Sequence, residues 1–454
     1  RRKGAPPGGP GFCNLYYLIK EISMSKEENR KNFSKYVSQN ILGMIGFSCY
    51  VLADSYFISI AKGADGLTAL NLVMPLYSII FSIGEMIGVG SAIRYAISKI
   101  KKDADADDYF WNALIWCIMS SMIFVFAGIF FSADIMRVLG ADEHIVAVGN
   151  NYTKIFMCFA PMFMCNYVTN AFVRNDGAPG IAMSATLFSS LFNIVFDYIL
   201  MFPMNLGMEG AALATALSPI IGMGICSIHF FSKKSSVRLV VCKPSVRKLV
   251  AGCQLGISAF VGEMSSAVIT LAFNFVILKL AGNVGVAAYG VVANIAIVTT
   301  AVFNGVAQGS QPLISSCFGR GDKDGCTQLK RMGYTTAFVL AAVMYSILFI
   351  FAGQFVAVFN SEGSEMLRLY ATEGVKLYFI GIFFAGINIV GGGAFSATED
   401  AFKAAVVSVA RGFVLILGAV FVMSALRGMT GLWLAYAVAE GITTFIMLVM
   451  VLRV

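Results

Sequence analysis

The chain has 454 residues, of which 58% are hydrophobic and 13% charged, with a mean hydropathy of +0.78. A soluble domain carries roughly a quarter charged residues, so this balance excludes a soluble globular protein of the same length. The net charge of +8 invites a nucleic-acid reading, but the placement of the lysines and arginines assigns it to membrane topology instead.

The first residues differ from all that follows. RRKGAPPGGPG is a Pro/Gly-rich basic lead without an apolar core, so it is not a signal peptide. FCNLYYLIKEIS could touch a membrane surface, and Met24 opens a run that leads amphipathically into the first apolar stretch. Met24 is therefore a candidate natural start, and residues 1–32 are expected to form a flexible lead.

Spanning a bilayer takes roughly 20 apolar residues. About twelve such stretches follow, near 36–60, 67–93, 110–133, 150–173, 181–202, 208–231, 250–279, 285–316, 332–358, 369–396, 403–424 and 430–452. Backbone groups in lipid must be satisfied within their own segment, so these stretches read as helices. The alternation that a membrane barrel needs is absent.

Positive charge collects in alternate loops. Lys99, Lys101 and Lys102 follow span two, and Lys233, Lys234, Arg238, Lys243, Arg247 and Lys248 lie between spans six and seven. Arg320, Lys323, Lys330 and Arg331 lie between spans eight and nine. The other loops carry little beyond Lys62, Arg137, Lys279, Arg368 and Arg427. Basic loops mark the cytoplasmic side, which places both termini there.

The basic stretch divides the chain into an N lobe (33–230, spans one to six), a linker (231–248) and a C lobe (249–454, spans seven to twelve). Each lobe has an even number of spans, so both enter the membrane in the same direction and are related by a pseudo-two-fold axis along its normal. The sequence repeats accordingly. Gly63, Gly66, Ala69, Val73, Gly90 and Ser91 recur without a gap as Gly282, Gly285, Ala288, Val292, Gly309 and Ser310. Gly207, Met208, Gly210, Ala214 and Ala216 recur as Gly428, Met429, Gly431, Ala435 and Ala437. Glu143 and Lys154 likewise match Glu365 and Lys376. Internal duplication in so apolar a chain implies a membrane transporter with its cargo between the repeats. Pro75, Pro161, Pro219 and Pro312 fall inside spans and are expected to kink them. The ten cysteines are scattered without a Cys-x-x-Cys pair and read as small core residues. His144 and His229 are too few and too far apart for a histidine metal site.

An ionisable side chain at membrane depth costs a few kcal/mol or more, so each is a functional candidate. Asp54 lies deep in span one. Asp197 lies in span five, with Asn193 one turn earlier on the same face. Thr215 lies in span six, with Ala211 at i−4. Two carboxylates, an amide oxygen, a hydroxyl and a carbonyl are hard donors suited to Na⁺ or a proton. Two close carboxylates share one proton or hold one cation. The competing reading is that these residues cap or cross-link helices. Glu263 in span seven and Glu85 in span two are secondary candidates. Arg94, and an ion pair between Arg411 and Glu440, fit structural roles. The 38 Phe and 23 Met include faces able to hold flat cations, although most serve lipid and helix contacts.

At these residues the chain resembles the multidrug and toxic compound extrusion (MATE) transporters, above all the branch of Gram-positive multidrug exporters. ADSYFISIAKGADGLTALNLVMP resembles the family's first-span aspartate and the motif that follows it. VLGADEHIVAVGNNYTKIF resembles its third-loop motif, and LGMEGAALATALS its start of span six. The likeness covers 33–453 and implies an N-lobe cation site formed by Asp54, Asn193, Asp197, Thr215 and the Ala211 carbonyl. Two departures matter. Gln39 stands near the place of a first-span proline whose bending accompanies protonation in the family. Asn388 stands where a second branch needs an aspartate beside a span-seven glutamate, so a complete C-lobe cation site is not expected.

The reading is thus an all-α integral membrane protein of twelve helices, working as a secondary antiporter. It is expected to export organic cationic compounds in exchange for Na⁺ or H⁺, without a cofactor. Its expected partners are small-molecule organic cation substrates and membrane lipids, with no nucleic acid. It is expected to be a monomer in the plasma membrane. The alternative is a flippase for lipid-linked precursors on a related fold, which would favour a cationic cavity where this chain has few deep arginines. An enzyme is excluded by the want of a catalytic cluster. CFGRGDKDG lacks the Gly-Lys-Ser/Thr of a phosphate loop and reads as a turn.

Overall fold

The computed structural model describes residues 10–359 and 364–452, with side chains left undescribed at 10–25, Ala64 and 358–359. The lead's first nine residues lie outside the described residues, and from Pro10 the backbone is helical into the first span. Nine helices among the described residues are long and apolar enough to cross a bilayer, and a tenth span is a bent pair. Two of the nine, Val246–Gly319 and Ala401–Leu452, each contain a sharp break, which brings the spans to twelve.

In chain order the spans are α1 (Lys26–Gly63), α2 (Asp65–Lys101), α3 (Asp108–Val138), α4 (Glu143–Cys158 and Ala160–Asn175), α5 (Pro179–Met201) and α6 (Gly207–Phe230). The C lobe repeats the order as α7 (246–281), α8 (283–319), α9 (Lys323–Ile350), α10 (Glu365–Ala397), α11 (401–426) and α12 (429–452). Helices outrun the apolar windows at both ends, because their polar terminal turns stay helical outside the apolar stretch.

The duplicated glycines make the turns. Gly63 (φ 59°, ψ −142°) and Gly282 (φ 61°, ψ −156°) reverse α1 into α2 and α7 into α8, and Gly428 (φ 58°, ψ −134°) reverses α11 into α12. Positive φ with this ψ is open almost only to glycine. The reversal is visible in the packing. Phe273 and Tyr289 stack at 4.9 Å, whereas 16 residues of straight helix would separate them by about 24 Å. Asp142 and Ser364 cap the matched helices after spans three and nine by accepting from Ile145 N and Leu367 N, with Glu143 and Glu365 in the first turns. Of the four prolines, Pro161 sits at a 46° bend in α4, while Pro75, Pro219 and Pro312 lie inside continuous helices.

Each lobe has its own core. Leu70, Val73, Ile80, Tyr152 and Phe156 are buried in the N lobe; Phe273, Phe303, Phe379, Leu432 and Trp433 are buried in the C lobe. The outer faces of α3 (Ile123, Phe126, Phe130) and of its repeat α9 (Phe338, Val339, Val343) are exposed and apolar, a surface that suits lipid.

The lobes meet closely in the half of the molecule nearest the linker. A Cβ on Gly90 (α2) would strike the Gly252 carbonyl on α7, and one on its repeat Gly309 (α8) would strike the backbone at Val37 on α1. Arg94 pairs with Glu399 and donates from Nε to the Ala251 carbonyl at 3.2 Å; Lys101 adds a 3.6 Å contact to Glu399. The linker itself is bound to the N lobe. Asp176 accepts from Ser236 N at 2.9 Å and Ser235 Oγ at 3.1 Å, and is held in place by His229 Nε2 of α6 at 2.8 Å. Further along, Ser245 N donates to Asn112 at 2.7 Å and Lys248 reaches Asp108 at 2.5 Å. Below, this end is the linker face, and the end bearing Gly63, Gly282 and Gly428 is the turn face.

Candidate functional site

Within the N lobe, toward the turn face, α1, α5 and α6 converge on a polar island in an apolar core. Asp54 comes from the last third of α1 and is 5% exposed; Asp197, near the end of α5, is 0% exposed. Asn193 is buried one turn before Asp197, and Thr215 and Ala211 are buried one turn apart early in α6. All five expected donors are therefore buried in one lobe, on three helices that pack together.

The contacts are specific. The Asn193 amide orientation that satisfies the network donates from nitrogen to Asp197 Oδ2 at 3.1 Å. The amide oxygen then accepts from Thr215 Oγ1 at 3.2 Å and Thr215 N at 3.3 Å. With the amide reversed, its oxygen faces the Asp197 carboxylate, a pairing that needs a proton or cation between the two acceptors. Asp54 Oδ1 and Asp197 Oδ1 are buried and have no hydrogen-bond partner among the described residues, and the two carboxyl groups lie within electrostatic reach of each other. Buried acceptors of this kind are rare in native folds. A proton or a small hard cation would satisfy both, and the donor set is all oxygen, so the residues fit Na⁺ or H⁺.

The MatE family model matches residues 40–199 and 259–424, one segment in each lobe. The chain belongs to the MatE family. It is 27% identical over 414 residues to the multidrug export protein MepA of Staphylococcus aureus (strain MRSA252), covering 88% of this chain and 89% of that protein. It is also similar in fold to a structure described as an outward-facing multidrug resistance MATE family transporter of the MOP superfamily. That TM-score is 0.87 at 20% identity, covering 94% of this chain and 96% of that chain. A MOP superfamily transporter from Pyrococcus furiosus, described as having a binding pocket of reverse polarity, aligns at TM-score 0.86 and 19% identity, covering 93% and 95%. The twelve-helix, two-lobed fold expected from the sequence is the MatE fold.

In this MatE chain the described residues of the C lobe place other side chains at the positions that repeat the N-lobe donors. Asp54 corresponds by repeat to Phe273, which stacks on Tyr289 at 4.9 Å. Thr215 corresponds to Tyr436, which stacks on Tyr378 at 4.4 Å. Stacked rings fill the space that hard oxygens hold in the other lobe. Asn388 is no free ligand either. It donates to Glu440 Oε2 at 2.6 Å, and Arg411 pairs with the same carboxylate at 2.7 Å. Arg411 sits on a π-helical turn, Ala410–Val414, that interrupts α11.

The secondary candidates Glu85 and Glu263 lie elsewhere, where the lobes meet, and both line the central cavity. Gln308 of α8 donates to Glu85 at 3.1 Å and accepts from Arg174 of α4 at 2.5 Å. Arg174, Gln308 and the hydroxyl pair Tyr77–Tyr152, within electrostatic reach of Asp54, escape sequence reasoning. Gln308 carried a signal, as a polar residue three before Gln311 in an apolar span. The tyrosines carried none, because nothing separates them from the many lipid-facing rings.

Proposed function

We propose that this protein is a secondary antiporter of the plasma membrane. It exports small organic cations through the cleft between its lobes, driven by uptake of Na⁺ or H⁺ at Asp54, Asn193, Asp197, Ala211 and Thr215. Both termini and the basic linker lie in the cytoplasm, and the molecule works as a monomer surrounded by lipid. The observation that carries this reading is the pair of buried, unpartnered carboxylate oxygens on Asp54 and Asp197. They belong to one lobe and sit toward the turn face, while the lobes close on each other at the linker face. A coupling ion arriving from outside would reach them by the short way. The similarity to a multidrug export protein supports the cargo class. Glu85 and Glu263 in the cleft disfavour a pyrophosphate-bearing lipid.

The experiment is transport of cationic dyes in proteoliposomes under a Na⁺ gradient or a pH gradient imposed separately. One gradient drives export in the wild type. Asp197→Asn and Asp54→Asn lower that rate at least tenfold with the protein folded and inserted. Unchanged, gradient-driven export in Asp197→Asn sinks the assignment.

A further inference from the structure

The linker face carries a segment that the ion site does not use. Between the end of α6 and the start of α7 the chain runs without helix over residues 235–245. It is nevertheless fixed along its length. Asp176 accepts from Ser235 and Ser236, and Val237, 5% exposed, enters the N-lobe core. Arg238 N donates to Asp107 at 3.4 Å, Cys242 Sγ to the Asp108 carbonyl at 3.7 Å and Ser245 N to Asn112 at 2.7 Å. Asp107, Asp108 and Asn112 stand at the start of α3, the helix whose outer face is exposed and apolar. The segment thus crosses the rim of the molecule, at the end of a helix that meets lipid.

Between those ties the chain bulges outward. Val240 N donates to the Arg238 carbonyl at 3.0 Å, a three-residue turn that leaves Leu239, Val240 and Val241 52%, 41% and 76% exposed. Single exposed aliphatics are ordinary, but three in a row at the tip of an ordered turn mark a surface for something apolar. Exposed apolar side chains continue on the helix ends beside it: Phe231 after α6, and Val246 with Val250 on one face of α7. Charge distinguishes the same segment. Lys233, Lys234, Arg238, Lys243 and Arg247 are exposed and form no ion pair among the described residues. Most of the acids nearby are already engaged: Lys99 pairs with Asp107 at 2.7 Å, and Lys248 with Asp108 and, at 3.7 Å, with Asp105. Among the described residues, Asp103 is the acid of that loop without an ion pair. Five free cations against one free acid leave the segment strongly positive.

We propose that this segment is a binding surface for anionic phospholipids. Leu239, Val240 and Val241 dip among the upper acyl carbons of the leaflet at the linker face, and the five cations hold headgroup phosphates. An apolar tip flanked by lysine and arginine is the pattern of an interfacial anchor, and a negatively charged leaflet is the surface that complements it. A nucleic acid would use the charges but leave the tip in water, and a second copy of the chain would set five cations against five more. The proposal needs the chain to span a bilayer and does not depend on what it transports.

The test uses the full chain in lipid nanodiscs of phosphatidylcholine, alone or mixed with phosphatidylglycerol, each also made with lipid brominated high on its acyl chains. Val241→Trp places a reporter at the tip, and its emission is measured over that of the wild type, whose own tryptophans are Trp111, Trp116 and Trp433. With phosphatidylglycerol present the bromines quench the added tryptophan at least twofold. In phosphatidylcholine alone, or at high salt, the quenching falls away, because neutral or screened headgroups do not hold the cations. Native mass spectrometry then compares the two lipids retained by the protein. Arg238→Gln with Lys243→Gln, the cations on either side of the tip, lowers the preference for phosphatidylglycerol on the order of fivefold per charge removed. Lys323→Gln with Arg331→Gln, equally exposed cations near the start of α9, leaves it unchanged. Equal quenching with and without phosphatidylglycerol seats the tip by its aliphatic side chains alone and overturns the anionic-lipid site. Quenching in neither lipid leaves the tip in water or against a protein, and overturns it as well. An equal loss of preference in the two double variants makes it a property of net charge, which also overturns the site.

Discussion

At the scale of single residues, the same chemistry is used in two opposed ways. In the N lobe, Asp54 and Asp197 are buried, each with one carboxylate oxygen that has no hydrogen-bond partner among the described residues. In the C lobe, Glu440 is buried but engaged by Arg411 and Asn388, so it holds its own counter-charge. Removing one member of such a pair strands the other. Arg411→Gln should destabilise the protein by about 3–5 kcal/mol, read as a lowered unfolding midpoint in detergent micelles. The double change Arg411→Met with Glu440→Leu should recover most of that loss, since no buried charge is then left unpaired. A double variant no more stable than the single one contradicts this account.

At the scale of elements, the repeat is carried by turns and caps rather than by the site. Gly63 and Gly282 share one backbone conformation, and a Cβ at either would meet nothing within 4 Å. The cost of a side chain there is therefore backbone strain alone. Gly63→Ala and Gly282→Ala should each cost on the order of 1–3 kcal/mol, measured as thermal shifts, and the two should be nearly equal because the turns are copies. A shift in one and none in the other would mean the hairpins are not equivalent. Glu399 also holds a positive φ of 58°, an uncommon conformation for a non-glycine. It is the residue that meets Arg94 and Lys101 across the lobes.

At the scale of the whole molecule, closure is concentrated at one end. The glycine contacts at Gly90 and Gly309, and the Arg94–Glu399–Lys101 cluster, hold the lobes together at the linker face. The linker is tied to the N lobe through Asp176, Asn112 and Asp108, so rocking of the lobes should hinge where α7 begins, near Ser245. Gly90→Leu would put a side chain into the Gly252 backbone and hold the linker face apart; Glu399→Gln would loosen it. Spin labels on the linker-face ends of α2 and α9 should report a larger population of long distances in both variants, more in Gly90→Leu. Distances identical to the wild type in both would place the closing contacts elsewhere.

Much of this was legible in the chain itself. Hydropathy gave twelve spans, because a backbone in lipid has no alternative to the helix. Repeated glycines marked the turns, because no other residue tolerates their φ and ψ. Asp54, Asn193, Asp197 and Thr215 stood out, because polar groups at membrane depth are too costly to be incidental. What the chain did not contain was partnership across sequence distance. That Asn388 serves Glu440, that Arg94 meets Glu399, and that Glu85 and Glu263 share one cavity with Gln311 all depend on helices hundreds of residues apart being brought side by side. A local pattern reports the face of a helix. Only the tertiary structure decides what that face meets, and so which buried charges are already balanced and which still call for an ion.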